Sequence, residues 1–188
     1  MSKIDPNKPL PTIHHREIVA KSRFFNVEQV DLEFSNGATR QFERMAGQNR
    51  GAVMIIPMLD DKNFYLIREY AAGTHSYQLG FPKGLIDPGE TPLQAANREL
   101  QEEVGFAARQ LHDIHTVGMA PTFFSSRMNI VVAQDLYPQR LEGDEPEPLE
   151  VIKWSLDDTD ELLARADFIE ARGIAALFLL KRWLKEQE

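Results

Sequence analysis

The segment from Gly84 to Phe106 constrains this chain most, because it crowds like charges into a stretch whose ends are fixed by local chemistry. Thr91 suits the position capping a helix N-terminus, and Pro92 suits the first helical position, where its missing N–H is harmless. Gly105 stands where a helix closes in the left-handed conformation. A helix is therefore predicted over Thr91–Val104, with Glu99, Glu102 and Glu103 at i, i+3 and i+4 on one face. Carboxylates so placed repel one another and oppose folding. One account is a solvated acidic face, with Arg98 offsetting Glu102 at i+4 for only ~0.3–0.5 kcal/mol. The other is a hard divalent cation. Carboxylates from successive turns, joined by Glu90 from a loop that Gly84 and Gly89 allow to fold back, are oxygen donors of the kind Mg²⁺ prefers. Such a cation would bridge a pyrophosphate, offset its charge and lower the pKa of a bound water.

The rest of the composition narrows the setting. A chain of 188 residues suits one domain with a real core. The net charge of −8, from 29 acidic against 21 basic residues, disfavours a nucleic-acid or anionic-membrane partner, which would need a basic patch. With no cysteine, disulfides, thiol chemistry and thiolate metal sites are excluded. The opening MSKIDPNKPLP lacks a signal-like apolar core and no run approaches membrane-spanning length, so cytoplasmic residence is expected.

Along the chain, residues 1–12 suggest an extended lead-in. Val30, Leu32 and Phe34 alternate with polar residues as in a half-buried strand, Asn36-Gly37 offers a tight hairpin turn, and Thr39–Arg44 is the return strand. Ala52–Leu59 is apolar throughout, as in a strand covered on both faces. Further strands are expected at Phe64–Arg68, Ile114–Met119, Met128–Ala133 and Glu150–Trp154, and an amphipathic helix at Glu170–Lys185. The expected whole is a single α/β domain, with residues 1–45 as arm and hairpin and 46–188 as catalytic core.

Gly84–Phe106 resembles the Nudix box: glycine, five residues, glutamate, seven residues, then R-E-U-X-E-E-X-G-U with U bulky and apolar. Gly84, Glu90, Arg98, Glu99, Leu100, Glu102, Glu103, Gly105 and Phe106 fill every specified position. The resemblance implies a Nudix α/β/α sandwich with a mixed β-sheet, here with an N-terminal β-hairpin extension. It implies hydrolysis of a nucleoside diphosphate linked to another group, with Mg²⁺ as cofactor and Mn²⁺ as its substitute. Glu99, Glu102 and Glu103 then correspond to catalytic, metal-binding carboxylates, and the Lys83 carbonyl to a further ligand. Gly84, Glu90, Arg98 and Gly105 correspond to residues supporting the box, with Arg98 orienting a glutamate.

Pro121, 16 residues beyond Gly105, resembles a proline of the ADP-ribose pyrophosphatase branch, although a proline closing a strand would read the same way. Strings such as Val30–Gly37, Phe124-Ser125-Ser126 and Glu142–Pro148 are similar to members of that branch acting on ADP-linked compounds. The resemblance implies ADP-ribose, reduced nicotinamide dinucleotide and short diadenosine polyphosphates as substrates, with AMP released. Phe81-Pro82-Lys83-Gly84 is instead similar to diadenosine tetraphosphate and diphosphoinositol hydrolases, and a cap-type hydrolase or a non-catalytic nucleotide-sensing Nudix module are the remaining alternatives. A water-activating base is expected in the acidic loop, at Glu145 or else Glu147. Arg44, Arg68 and Arg127 are candidate phosphate contacts, since a guanidinium binds phosphate bidentately. Phe123 could stack on a base or merely pack. In the same branch the N-terminal strands cross to a partner subunit, which implies a homodimer in which Glu43 or Arg44 approaches the substrate next door.

Overall fold

The computed structural model describes residues 7–47 and 50–187. These fall into two compact units, one formed by the N-terminal residues with 119–126, the other by residues 50–118 and 127–187.

The N-terminal unit is an antiparallel sheet of three strands, β1 (Thr12–Lys21), β2 (Asn26–Glu33) and β3 (Thr39–Met45), in that spatial order. The hairpin expected from residue 24 to 44 is thus extended by one strand, β1, whose side chains are all exposed. That exposure removes the alternation by which a strand announces itself. The β2–β3 connection also differs from a two-residue turn. Glu33 pairs with Thr39, the Phe34 and Ala38 backbones close the loop at 2.9 Å, and the Asn36 side chain accepts the Ala38 N–H. Only Gly37, at φ +80°, is left-handed; Asn36 is not.

The larger unit carries two sheets. One is mixed, with β7 (Lys83–Leu85), β4 (Ala52–Pro57), β9 (Arg127–Pro138) and β8 (Phe106–Gly118) side by side, β4 and β9 being parallel. The other, antiparallel, places β10 (Glu150–Ser155), β5 (Asn63–Ala71) and β6 (Ser76–Gly80) in that order. Strand β4 accounts for its unbroken apolar run by facing two cores. Met54 and Ile56 pack with Leu177 and Leu180 of α3 (Ala171–Lys185), while Val53 and Ile55 pack with Ala96 and Leu100 around α1 (Pro92–Glu99). Helices on opposite faces of the sheet give the α/β/α layering that was expected. The short β6 and β7 and the six-residue α2 (Thr159–Ala164) were not foreseen; none is long enough to show a period. Among the described residues no helix is long and apolar enough to cross a membrane.

Helix α1 starts as its sequence dictates. Thr91 Oγ1 accepts the Gln94 N–H, and the Gln94 side chain accepts the Thr91 N–H in return, a reciprocal capping box. Its end departs from expectation. Leu100–Val104 widens into a π turn, closed by the Gly105 N–H on the Leu100 carbonyl at 3.2 Å, with Gly105 at φ +83°. Thr91–Val104 is therefore one continuous helical segment but not one regular α-helix, and its second half rotates the glutamates relative to ideal spacing.

Candidate active site

The π turn and β7 define the floor of the site. The Gly84 Cα lies so close to Glu99 that an added Cβ would run into the Glu99 carboxyl. Only glycine lets strand and helix approach this closely. Beside it, Glu103 Oε2 accepts the Lys83 backbone N–H at 2.9 Å, while the Lys83 ammonium pairs with Glu69 from β5. Glu103 is almost wholly withdrawn from solvent, and that burial pushes its carboxyl up to about 8, against smaller opposing effects of the Lys83 charge and amide. Glu99 is raised too, first by burial, with Arg98 pulling the other way and the charges of Glu102 and Glu145 adding to the rise.

Arg98 is the hub. Its guanidinium forks onto Glu90 at 2.9 and 3.0 Å, and its Nη1 reaches Glu99 at 2.7 Å and Glu102 at 2.9 Å. Its Nη2 also donates to the Leu85 carbonyl. Expected as an isolated i, i+4 surface pair, the Arg98–Glu102 contact is one strand of a half-buried network. Glu90, held below its ordinary value first by its hydrogen bonds from Arg98, serves as the anchor of that arginine. It does not line the acidic cleft.

That cleft, of about 710 Å³, is lined by Glu99, Glu102, Glu103, Lys83 and Gly84 on one side. The loop carrying Glu142, Asp144 and Glu145 supplies the other side. Backbone bonds from Gln139 to Gly105 and from Leu141 to Gln101 tie this loop to the π turn. Of the two proposed bases, Glu145 faces the cleft, whereas Glu147 is bound by the Tyr77 hydroxyl. Glu69 and Arg50, also on the cleft wall, were not anticipated. Glu69 belongs to the face of β5 that Ile67 shares, and only the pairing with Lys83 reveals its direction.

The carboxylates outnumber the cations facing them, and all the donors are hard oxygens. Burial first, and the neighbouring negative charge only after it, lifts Glu103 and Glu99. A divalent cation fits this donor set by chemistry and charge. Arg98 and the Lys83 amide meanwhile hold the carboxylates apart, so that among the described residues no three His, Asp or Glu side chains already converge as a ligand set.

The remaining candidates lie elsewhere. Arg68 on β5 pairs with Glu150 at 3.3 Å and stacks over the Tyr77 ring. Arg127 is exposed at the start of β9, opposite Gly118. Glu43, Arg44, Pro121 and Phe123 belong to the N-terminal unit. There Arg44 is paired with Glu28 at 2.7 Å, Glu43 lies exposed on β3, Pro121 is exposed, and the half-exposed Phe123 offers its carbonyl to Met45.

Comparison with known proteins gives the family of the chain. The NUDIX domain family matches residues 48–178, and the family described as NudE-type Nudix hydrolase N-terminal domain matches residues 11–44. The chain is 62% identical to the ADP compounds hydrolase NudE of Escherichia coli, covering 94% of this chain and 95% of that one. It is 27% identical to the ADP-ribose pyrophosphatase of Bacillus subtilis over 89% and 92% of the two chains. A solved crystal structure of an ADP compounds hydrolase superimposes with a TM-score of 0.91 at 60% identity, over 97% of this chain and 98% of the other.

Proposed function

The chain belongs to the Nudix hydrolases, divalent-metal-dependent pyrophosphohydrolases, and on that footing we propose that it hydrolyses the pyrophosphate bond of ADP-linked compounds, releasing AMP. ADP-ribose, reduced nicotinamide dinucleotide and short diadenosine polyphosphates are the proposed substrates, in keeping with the activity for which its 62%-identical relative is named. The observation that carries the proposal is the gathering of Glu99, Glu102, Glu103 and Glu145 around one cleft, with Glu103 pushed up to about 8 by burial.

Glu99, Glu102 and Glu103 would hold the cation, proposed to be Mg²⁺ with Mn²⁺ as substitute, and the Lys83 carbonyl is a proposed further ligand. When bound, the cation neutralises diphosphate charge and acidifies water. The protein's own groups do the rest. Glu145 accepts the proton of the attacking water, a role supported by its place on the cleft wall and by the engagement of Glu147 with Tyr77. Arg98, anchored by Glu90 and the Leu85 carbonyl, positions the Glu99 and Glu102 carboxylates. Lys83 and Arg50 offset charge on the diphosphate as it enters.

A homodimer is also proposed. It is supported by the exposed strand β1, with Ile13, Ile18 and Val19 at the surface, which lies at an edge of its sheet.

Chromatography of the products from a panel of ADP-linked compounds tests the reading. AMP should appear from ADP-ribose only when Mg²⁺ or Mn²⁺ is added, and Glu103→Gln should lower kcat by more than about 10²-fold while the protein stays folded. A Glu103→Gln enzyme with near-normal turnover would remove the basis of the assignment.

A further inference from the structure

Residues 142–146 carry Glu145, and little along that stretch holds it in place. The segment borders the acidic cleft of about 710 Å³ and also a smaller cavity of about 290 Å³, whose wall adds Arg140 and Leu149. With open space in both, packing alone does not fix the segment. Among the described residues none of its backbone or side-chain groups makes a hydrogen bond or an ion pair. The Glu145 carboxyl lies against Gly143, where an added Cβ would run into it.

The segment is tied at its two ends instead. Upstream, the Gln139 and Leu141 N–H groups donate to the Gly105 and Gln101 carbonyls, and the Arg140 guanidinium lies against Gly105. Downstream the tie is a side chain, the Tyr77 hydroxyl donating to the Glu147 carboxylate. Tyr77 is itself well seated. It faces Tyr70 across the β5–β6 pairing, edge to ring at 5.9 Å, and the Arg68 guanidinium stacks on it at 5.2 Å. Arg68 in turn meets Glu150, where β10 begins. The bond to Glu147 pushes the Tyr77 hydroxyl above its ordinary value, so the phenol keeps the proton that it donates. Glu147 stands between Pro146 and Pro148. Proline fixes its own φ and narrows the residue before it, which leaves the run from Glu145 to Pro148 few conformations. Holding Glu147 therefore constrains where Glu145 can stand.

We propose that Tyr77 is a positioning residue for the reaction, its hydroxyl holding Glu147 so that Glu145 stays turned to the cleft where the attacking water gives up its proton. The inference rests on the pyrophosphohydrolase reading above. Tyr77 does not line the cleft, so it acts only through the loop. Released from Tyr77, the loop has the smaller cavity to move into, and fewer molecules hold the base in its productive place. The loss then falls on turnover and leaves substrate binding largely intact.

Tyr77→Phe removes the hydroxyl and keeps the ring against Tyr70 and Arg68. Steady-state kinetics on ADP-ribose with Mg²⁺ should show kcat lowered by about tenfold and KM changed by less than about twofold, because a displaced catalytic group acts on turnover. The same change is then made in Glu145→Gln. With no base left to place, Tyr77→Phe should lower kcat there by less than about twofold further. Equal losses in the two backgrounds would make Tyr77 merely structural and overturn the proposal, as would a Tyr77→Phe enzyme within about twofold of wild-type kcat. Glu147→Ala, at an exposed loop position, removes the acceptor instead of the donor. It should reproduce the pattern, and it stands in should Tyr77→Phe not fold. Glu147→Gln keeps an oxygen within reach of the phenol and should lose less than Glu147→Ala. The two kinds of failure are distinct: additive losses strike the positioning role alone. A Glu145→Gln enzyme with near-normal turnover, or a wild type that cleaves no ADP-linked compound, overturns the functional reading and this role with it.

Discussion

Glu103 offers a measurement that the structure sets up in sign and in size. Its ordinary glutamate value is 4.5, and burial in the folded protein pushes it up to about 8. Between those values the folded chain keeps a proton that the unfolded chain has released. Stability of the metal-free protein must therefore fall as pH rises through this window, contrary to the usual behaviour of a salt-bridged carboxylate. The whole difference corresponds to a ceiling on the order of 5 kcal/mol, at about 1.4 kcal/mol per tenfold change in proton affinity. The realised amount is smaller, because the raised Glu99 carboxyl interacts with Glu103. Glu103→Gln keeps the shape and the acceptor for the Lys83 N–H but removes the titration. Urea unfolding in EDTA from pH 5 to 8.5 should show wild type losing stability relative to the variant by at least about 1 kcal/mol. Other titrating groups cancel in that difference. Adding Mg²⁺ should restore wild type most at the alkaline end, where the cation has no proton to displace. Parallel curves for wild type and variant would refute the claim that burial raises the Glu103 carboxyl.

Three further outcomes test neighbouring parts of the site. Gly84→Ala should lower kcat more than tenfold with a small effect on melting temperature, because the added methyl displaces the Glu99 carboxyl rather than a core side chain; unchanged turnover would contradict the close approach. Glu145→Gln should depress kcat with little change in KM, whereas Glu147→Gln should change kcat by less than threefold, and steady-state kinetics showing the reverse order would transfer the base to Glu147. Light scattering on the full chain should give the mass of a dimer, and an active monomer at nanomolar concentration would remove the proposed assembly.

How much of this was legible beforehand depended on whether a residue's role is local. The helix beginning at Thr91, the stop at Gly105, β4 and α3 follow from neighbours within a few positions, so capping chemistry and period were enough. The specified box positions likewise identify the glutamates. The π turn was not legible, since nothing in Leu100–Val104 distinguishes five residues of wide helix from five of regular helix. Within it Glu103 is seated on the Lys83 amide, a tertiary contact that local sequence does not announce. Glu69 and Tyr77 were missed because their roles come from cross-strand and loop partners far away in sequence. Strand β1 was missed because it exposes both faces, which erases the alternation on which the other strands were found. The Asn36-Gly37 pair marked the position of a turn correctly but not its length, which the pairing of Glu33 with Thr39 sets.

The electrostatic arrangement of the box helix explains why so much local structure is devoted to it. In a regular, freely solvated helix, Glu99, Glu102 and Glu103 would lower their mutual repulsion by turning outward. Here they cannot separate that way. The capping box fixes the first turn, Gly105 fixes the last, and close contact with Gly84 and the Lys83 amide holds Glu99 and Glu103 inward. Arg98 supplies one positive charge to three carboxylates, and Glu90 takes its bidentate face, leaving Glu99 and Glu102 to share a single nitrogen. Glu103, the most buried of the set, is raised first by that burial, which the Lys83 charge and amide offset only in part. A cation entering the cleft would therefore meet carboxylates already desolvated and already confined, so that much of the ordering and desolvation has been met by folding. Loosening the frame at a distance should then weaken the cation without removing a ligand. Glu90→Gln is the sharpest case, because it frees the fork of Arg98 while leaving all three box carboxylates in place. Mg²⁺ titration of activity should give an apparent affinity lowered by roughly 10–100-fold, the range typical when a group that orients metal ligands is lost. An unchanged Mg²⁺ requirement in Glu90→Gln would mean that the frame does not prepare the site, and that the cation organises the carboxylates for itself.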